Sequence, residues 1–176
     1  MMQAELKYKL NELRKQKDEL YYMIEEIIFR NNIKRDLKDA LDNEELLLCY
    51  QPLIDARTKR VVRFEALIRW KHPKKGIIGP LDFIPATEET KLIIPIGEWI
   101  LKNTFKQLKE WHDLDFKDFR LSINASIVQL QMPNFAETVI EILLETGISP
   151  KYIELEITES VLMNSVYTVA NNLNLL

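Results

Sequence analysis

Three segments of the chain alternate between apolar and polar residues, and the polar positions carry charge. In RFEALIRW, Phe64, Ala66, Ile68 and Trp70 share one parity, and Arg63, Glu65, Leu67 and Arg69 share the other. In FRLSINAS, Phe119, Leu121, Ile123 and Ala125 oppose Arg120, Ser122, Asn124 and Ser126. In YIELEIT, Ile153, Leu155 and Ile157 oppose Glu154, Glu156 and Thr158. A period of two marks a strand with two unlike faces. An antiparallel sheet with one wet face explains such a pattern. Here, however, helical stretches separate the segments, and strand–helix–strand units make parallel pairs with right-handed crossovers. Parallel sheets are usually covered or closed. A barrel reconciles the two facts. The apolar parity packs outward on helices, and the polar parity points into the barrel and its mouth.

Polar groups in that position cost about 1–3 kcal/mol each unless paired. The carboxylates therefore need cations. Glu65, Asn124 and Glu156 fall near the C-terminal ends of three successive parallel strands. Two carboxylates and an amide oxygen are hard ligands, suited to Mg²⁺ or Mn²⁺.

The rest of the chain organises around these strands. Residues from about Met2 to Arg30 contain no Gly or Pro and are rich in helix formers. Leu6, Leu10, Leu13, Lys17, Leu20, Ile24 and Ile27 are spaced alternately by four and three. That is a heptad seam with one polar interruption, expected either to pack on the domain or to form a coiled coil with a second copy. Asn31-Asn32 reads as a soft break before a second short helix, RDLKDALDNEEL. ELLLCYQPLI and VVRFEALIRW, joined by DARTKR, predict an antiparallel hairpin. A Pro- and Gly-containing loop follows Trp70, and its DFIPATEETK portion reads as helical, with a capping residue and an acidic first turn. Helices are expected over about Pro95 to Leu114 and Asn134 to Glu145, with Gly147 as a left-handed C-terminal cap, and a last helical stretch after the final strand.

Composition removes several alternatives. Hydrophobic residues make up 47% of the 176 residues, sufficient for a packed core. The formal net charge of −3 gives no bulk electrostatic reason to bind a nucleic-acid polymer. Cys49 is the single cysteine, so no internal disulfide forms and a reduced, cytoplasmic setting is the default. No membrane-length apolar run and no signal peptide are present, although a longer parent protein is free to sit at a membrane.

The motifs YQPLID, FEALIRWKHPKKGIIGPLDFIPATEETKLIIPIGEWIL, LSINAS and IELEITESVLM, in this order and spacing, resemble the EAL domain family over roughly Arg35 to Leu176. The resemblance implies a TIM-barrel-like fold whose first strand is antiparallel, preceded here by a long N-terminal helix. It implies a phosphodiesterase that cleaves cyclic di-GMP to linear pGpG with two Mg²⁺ or Mn²⁺ ions. Carried over, Glu65, Asn124 and Glu156 are metal ligands, and Arg69 holds a substrate phosphate. Glu159 steadies a loop bearing further ligands, and Gln51, Leu67 and Pro80 line the substrate groove. The expected organisation is a helical linker over residues 1–32 and the N-terminal half of an EAL domain over residues 33–176. The linker connects to an upstream sensory or GGDEF-type module.

The family pattern continues with a strand ending in Asp-Asp-Phe-Gly and a strand with a catalytic lysine, neither of which these 176 residues contain. About half a barrel is therefore expected, incomplete as a two-metal catalyst on its own. A cyclic di-GMP-binding module or a dimerising scaffold is the alternative. Open sheet edges and the heptad seam predict a homodimer or larger assembly.

Other residues read as structural. His72 is expected to be structural at the strand mouth, and His112 a surface or capping group. Lys74 and Lys75 are a solvated pair, and Cys49 a core residue. Glu154 is expected to be an ion-pair partner on the barrel floor, with Arg120 opposite.

Overall fold

The computed structural model describes residues 2–117, 119–157 and 166–176. The elements are α1 (Met2–Ala40), β1 (Leu46–Ile54), β2 (Val61–His72), β3 (Gly76–Ile78), α2 (Pro80–Glu89) and α3 (Ile93–Asp113). After these come β4 (Arg120–Asn124), α4 (Ile127–Leu130), α5 (Phe135–Thr146), a 3₁₀ turn (Pro150–Tyr152), β5 (Ile153–Glu156) and α6 (Val166–Leu175). The sheet runs β1-β2-β4-β5, with β3 appended to β2. β1 and β2 pair antiparallel, while β2–β4 and β4–β5 are parallel, with α3 and α5 in the crossovers. The expected hairpin and parallel units are both present. Asp55 sets the hairpin turn, accepting from the backbone N–H groups of Arg57 and Thr58 at 2.9 and 2.6 Å.

The apolar parity is the core. Ala66, Ile68, Trp70, Leu121 and Ile123 are buried, together with Ile96, Ile100, Phe105 and Leu108 from α3 and Phe83 from α2. Trp70 is fully buried, and its indole N–H is satisfied by Glu45 Oε2 at 2.9 Å. Gly147 ends α5 at φ 67°, the left-handed cap expected from sequence. Gly97 serves closeness instead. A Cβ there would lie 1.9 Å from Gln129 Nε2, so a larger residue would push the Gln129 side chain out of its capping position.

Several expectations need correction. Asn31-Asn32 does not break the helix, since α1 runs unbroken to Ala40. Two asparagines cost only a fraction of a kcal/mol each in a helix, and burial of Ile33, Leu37 and Ala40 anchors the following turns. Lys34 adds a 2.5 Å ion pair to Glu89. α2 begins at Pro80, not with the DFIPATEETK stretch. Gly79 occupies the cap position without a side-chain bond, and Asp82 falls inside the first turn. Cys49 is exposed, not core. In β1, Leu46, Leu48 and Tyr50 turn toward the helices, which leaves Cys49 on the polar face opposite Leu67. His112 is half-buried, its ring 4.4 Å from that of Tyr152 and 6.4 Å from that of Phe119. Burial, then Lys117, lowers its pKa, and its Nε2 is enclosed without a hydrogen-bond partner among the described residues.

The seam of α1 lies outside this core. Leu6, Leu10, Leu13, Leu20, Ile24 and Ile27 are 45–70% exposed, in contrast to Ile33 and Leu37 further along the same helix. Among the described residues, no helix is long and apolar enough to cross a membrane.

Candidate active site

The polar parity of β2, β4 and β5 builds a layered inner face. Register places Arg63 beside Arg120, then Glu65 beside Ser122 and Ser122 beside Glu154, then Asn124 beside Glu156. Gln51 of β1 sits opposite Glu65. The lower layer is an ion-pair network. Arg120 Nη1 lies 2.6 Å from Glu154 Oε1, as expected from sequence, and Arg63 Nη1 lies 2.8 Å from Glu154 Oε2. Arg120 and Arg63 together hold the Glu154 carboxyl below the usual carboxylate range.

The upper layer joins Asn124 to Glu65 by a side-chain contact and sets it beside Glu156 by strand register. Asn124 Nδ2 donates to Glu65 Oε1 at 2.8 Å, and Asn124 is the register neighbour of Glu156. Glu156 Oε1 receives Arg63 Nη1 at 3.2 Å. Among the described residues, no three His, Cys, Asp or Glu side chains form a metal-holding group. The trio draws its third donor from an amide instead. Its two carboxylates and one amide oxygen suit a hard divalent cation, provided that the Asn124 amide turns its oxygen inward.

Arg69 continues the same face of β2. Its Nη1 donates to the Ile68 carbonyl at 2.9 Å, and it has no carboxylate partner among the described residues. Glu159 lies outside the described residues. Leu67 and Pro80 line a cavity of about 370 Å³ between the strand ends and α2, together with Glu88, Asn124, Ser126 and Gln129. Gln51 and Arg69 lie beside this cavity in sequence and register but do not line it.

Sequence reasoning missed Glu88 and Ser126. Ser126 Oγ donates to Glu88 Oε1 at 2.5 Å, while Ser126 and Gln129 form a capping box at the start of α4. The S-x-x-Q spacing signals the box. No local pattern marks Glu88, which arrives from a helix 38 residues away. His72 is structural, as expected. It is buried, its Nε2 lies 3.4 Å from Asp36 Oδ2, and its Nδ1 accepts from the Lys74 N–H at 3.1 Å. Lys74 and Lys75 are exposed, with Lys75 Nζ 3.6 Å from the centre of the Phe29 ring.

The EAL domain family matches residues 34–176, most of the chain. The chain belongs to the EAL domain family. Its sheet and helices form part of the TIM-barrel-like EAL fold. A related uncharacterised protein of Synechocystis sp. is 40% identical over 172 residues, which is 95% of this chain and 25% of that protein. MucR of Pseudomonas aeruginosa, a bifunctional diguanylate cyclase/cyclic di-GMP phosphodiesterase, is 38% identical over 128 residues, or 73% of this chain and 19% of MucR. The solved MucR phosphodiesterase in complex with cyclic di-GMP matches with a TM-score of 0.75 at 33% identity, covering 82% of this chain and 60% of that one. An EAL enzyme in its cGMP-bound form matches with a TM-score of 0.76 at 26% identity, covering 93% and 47%. The chain thus spans a quarter or less of the length of these curated relatives and about half of these solved chains.

Proposed function

We propose that this EAL domain acts in bacterial second-messenger signalling by binding cyclic di-GMP, and that its Glu65, Asn124 and Glu156 supply one half of a site that hydrolyses the dinucleotide to linear pGpG. The observation that carries this reading is the Asn124–Glu65 contact on adjacent strands, with Glu156 the register neighbour of Asn124 on the next strand. They would hold Mg²⁺ or Mn²⁺, two ions in the complete family site. Such ions, when bound, supply an acidified water and charge neutralisation at the phosphodiester. The remaining work belongs to the chain. Arg69, with no carboxylate partner among the described residues, offers its guanidinium to a phosphate. Leu67 and Pro80 present an apolar wall to a base, and Gln51 offers an amide from the neighbouring strand. Glu159, outside the described residues, is assigned its loop-steadying role by the family resemblance alone.

Three ligands hold one cation weakly and leave a two-metal centre incomplete, so the 176 residues by themselves bind and do not turn over. Isothermal titration with cyclic di-GMP and Mn²⁺, followed by chromatography for pGpG, checks both parts. Binding that needs Mn²⁺ and disappears in Glu65→Ala is expected, without product. Binding indifferent to Glu65 and to Mn²⁺ would sink the reading.

A scaffold role has its own observation, the exposed heptad seam. The seam's 3.5-residue period suits a second helix of the same pitch, and the proposed occupant is α1 of a second copy. Residues 1–32 would then be a dimerising linker to an upstream sensory or GGDEF-type module, with the domain proper over 33–176. Light scattering should give a dimer that becomes a monomer in the Leu13→Glu/Leu20→Glu double variant. A monomeric wild type rules this role out.

A further inference from the structure

Of the three inner-face charges that the proposed site does not use, Arg63, Arg120 and Glu154, Arg63 alone reaches into both layers. Arg63 sits on β2 two residues before Glu65, yet its Nη1 lies 2.8 Å from Glu154 Oε2 and 3.2 Å from Glu156 Oε1. A single guanidinium nitrogen thus spans two carboxylates from successive layers of β5. The two carboxylates are not equivalent. Glu154 has a second cation, Arg120, at 2.6 Å on its other oxygen. Glu156 has Arg63 alone among the described residues.

We propose that Arg63 is a positioning residue that holds the Glu156 carboxylate in the cation-free protein and competes with a divalent cation for it. This inference rests on the reading that Glu65, Asn124 and Glu156 are cation ligands. The physical argument is one of exclusion. A guanidinium and a divalent cation repel each other strongly when they share one carboxylate oxygen. Loading the upper layer therefore requires Arg63 to leave Glu156. It has a place to go, because Glu154 already receives the same nitrogen at the shorter distance. Arg120 keeps Glu154 in position whether or not Arg63 moves. The Arg63 side chain is one-third exposed, so the shift meets no packed wall. The floor network thus serves as the parking place for a charge that the rim releases, and the balance between its two positions sets cation affinity.

The proposal has opposite consequences for two neighbouring residues. Arg63→Met removes the competitor and keeps the apolar stem, while Arg120 still neutralises Glu154. Glu154→Gln removes the parking place and leaves Arg63 with Glu156 as its one remaining ion-pair partner among the described residues. Arg63→Lys retains the charge. The test is a Mn²⁺ titration of the whole 176-residue chain, read by the electron paramagnetic resonance of free Mn²⁺, with thermal unfolding of each variant alongside. Mn²⁺ should bind Arg63→Met about three- to fivefold more tightly than wild type, and Glu154→Gln more weakly by a similar factor, as fits a partly exposed charge pair. Arg63→Lys should stay within about twofold of wild type. Should Arg63→Met fail to fold, Arg63→Gln replaces it with the same expectation. A purely structural Arg63 would lower the unfolding temperature without tightening Mn²⁺. Wild-type binding that Glu65→Gln abolishes, with Arg63→Met no tighter, overturns this inference and leaves the ligand reading standing. No binding by any of these proteins overturns both.

Discussion

The floor and the rim of the inner sheet face are built from the same strands with the same residue types, yet they are satisfied very differently. On the floor, Glu154 has two arginines on its two oxygens. On the rim, Glu65 has one neutral amide, Glu156 shares an arginine, and Arg69 has a backbone carbonyl. A satisfied network stabilises a fold, whereas an under-satisfied one awaits a ligand. The contrast predicts that rim substitutions cost most of the binding and spare stability, whereas floor substitutions cost stability and shift cation affinity by only a few-fold.

The largest effect expected is at the rim. Glu65→Ala should weaken Mn²⁺-dependent cyclic di-GMP binding by at least about tenfold, since a hard cation loses one of two carboxylates. Urea unfolding of the same variant should change by no more than about 0.5 kcal/mol, because the released Asn124 amide is solvent-exposed. A large loss of stability here would erase the contrast.

At the floor, Glu154→Gln should cost about 1 kcal/mol, the scale of a partly exposed ion pair, by urea unfolding at neutral pH. Acid sharpens this. The folded pKa of Glu154 lies below its ordinary 4.5. Its contribution is therefore fully present above about pH 4.5 and is lost as pH falls through the folded value. Wild type and Glu154→Gln should converge in stability toward low pH.

The smallest effect tests a group outside both layers. His112 has its pKa lowered from 6.5, so the folded chain holds it neutral. Below about pH 6.5 the unfolded chain takes up a proton that the folded chain refuses, and stability declines until the folded value is passed. His112→Phe should flatten the pH dependence of the unfolding midpoint between pH 7 and 5 while leaving both layers intact. An unchanged slope would show that another group governs that range.

Much of the fold was legible because parity is a local signal. Alternation in FEALIRW and LSINAS reports which side chains share a face, whatever lies across from them. Gly147 and the hairpin turn were legible for the same reason, since each answers a local conformational need. The Arg120–Glu154 pair was readable because parity plus strand order makes it nearly unavoidable. The misreadings share the opposite cause. Cys49 lies in an apolar run, but β1 has only one covered face, so half of that run is exposed. Asn31-Asn32 has weak helix propensity, but burial of Ile33 and Leu37 overrides it. His112 ends a helix as a surface residue would, and is half-buried because Tyr152 and Phe119 arrive from distant segments.

By itself the sequence determined the family, the order of the four main strands and the parity of their faces, because motif spacing and parity need no partner to be read; β3 (Gly76–Ile78) and the short α4 (Ile127–Leu130) carry no such signal. Only the tertiary structure decided how each inward charge is satisfied. Arg63 belongs by sequence to the Glu65 strand and in space to Glu154 and Glu156, across two parallel pairings. Glu88 joins Ser126 from a helix whose position depends on the packing of Phe83 and Ala86. Ion pairing depends on ångström distances between chain segments tens of residues apart, and those distances exist only once the core has packed.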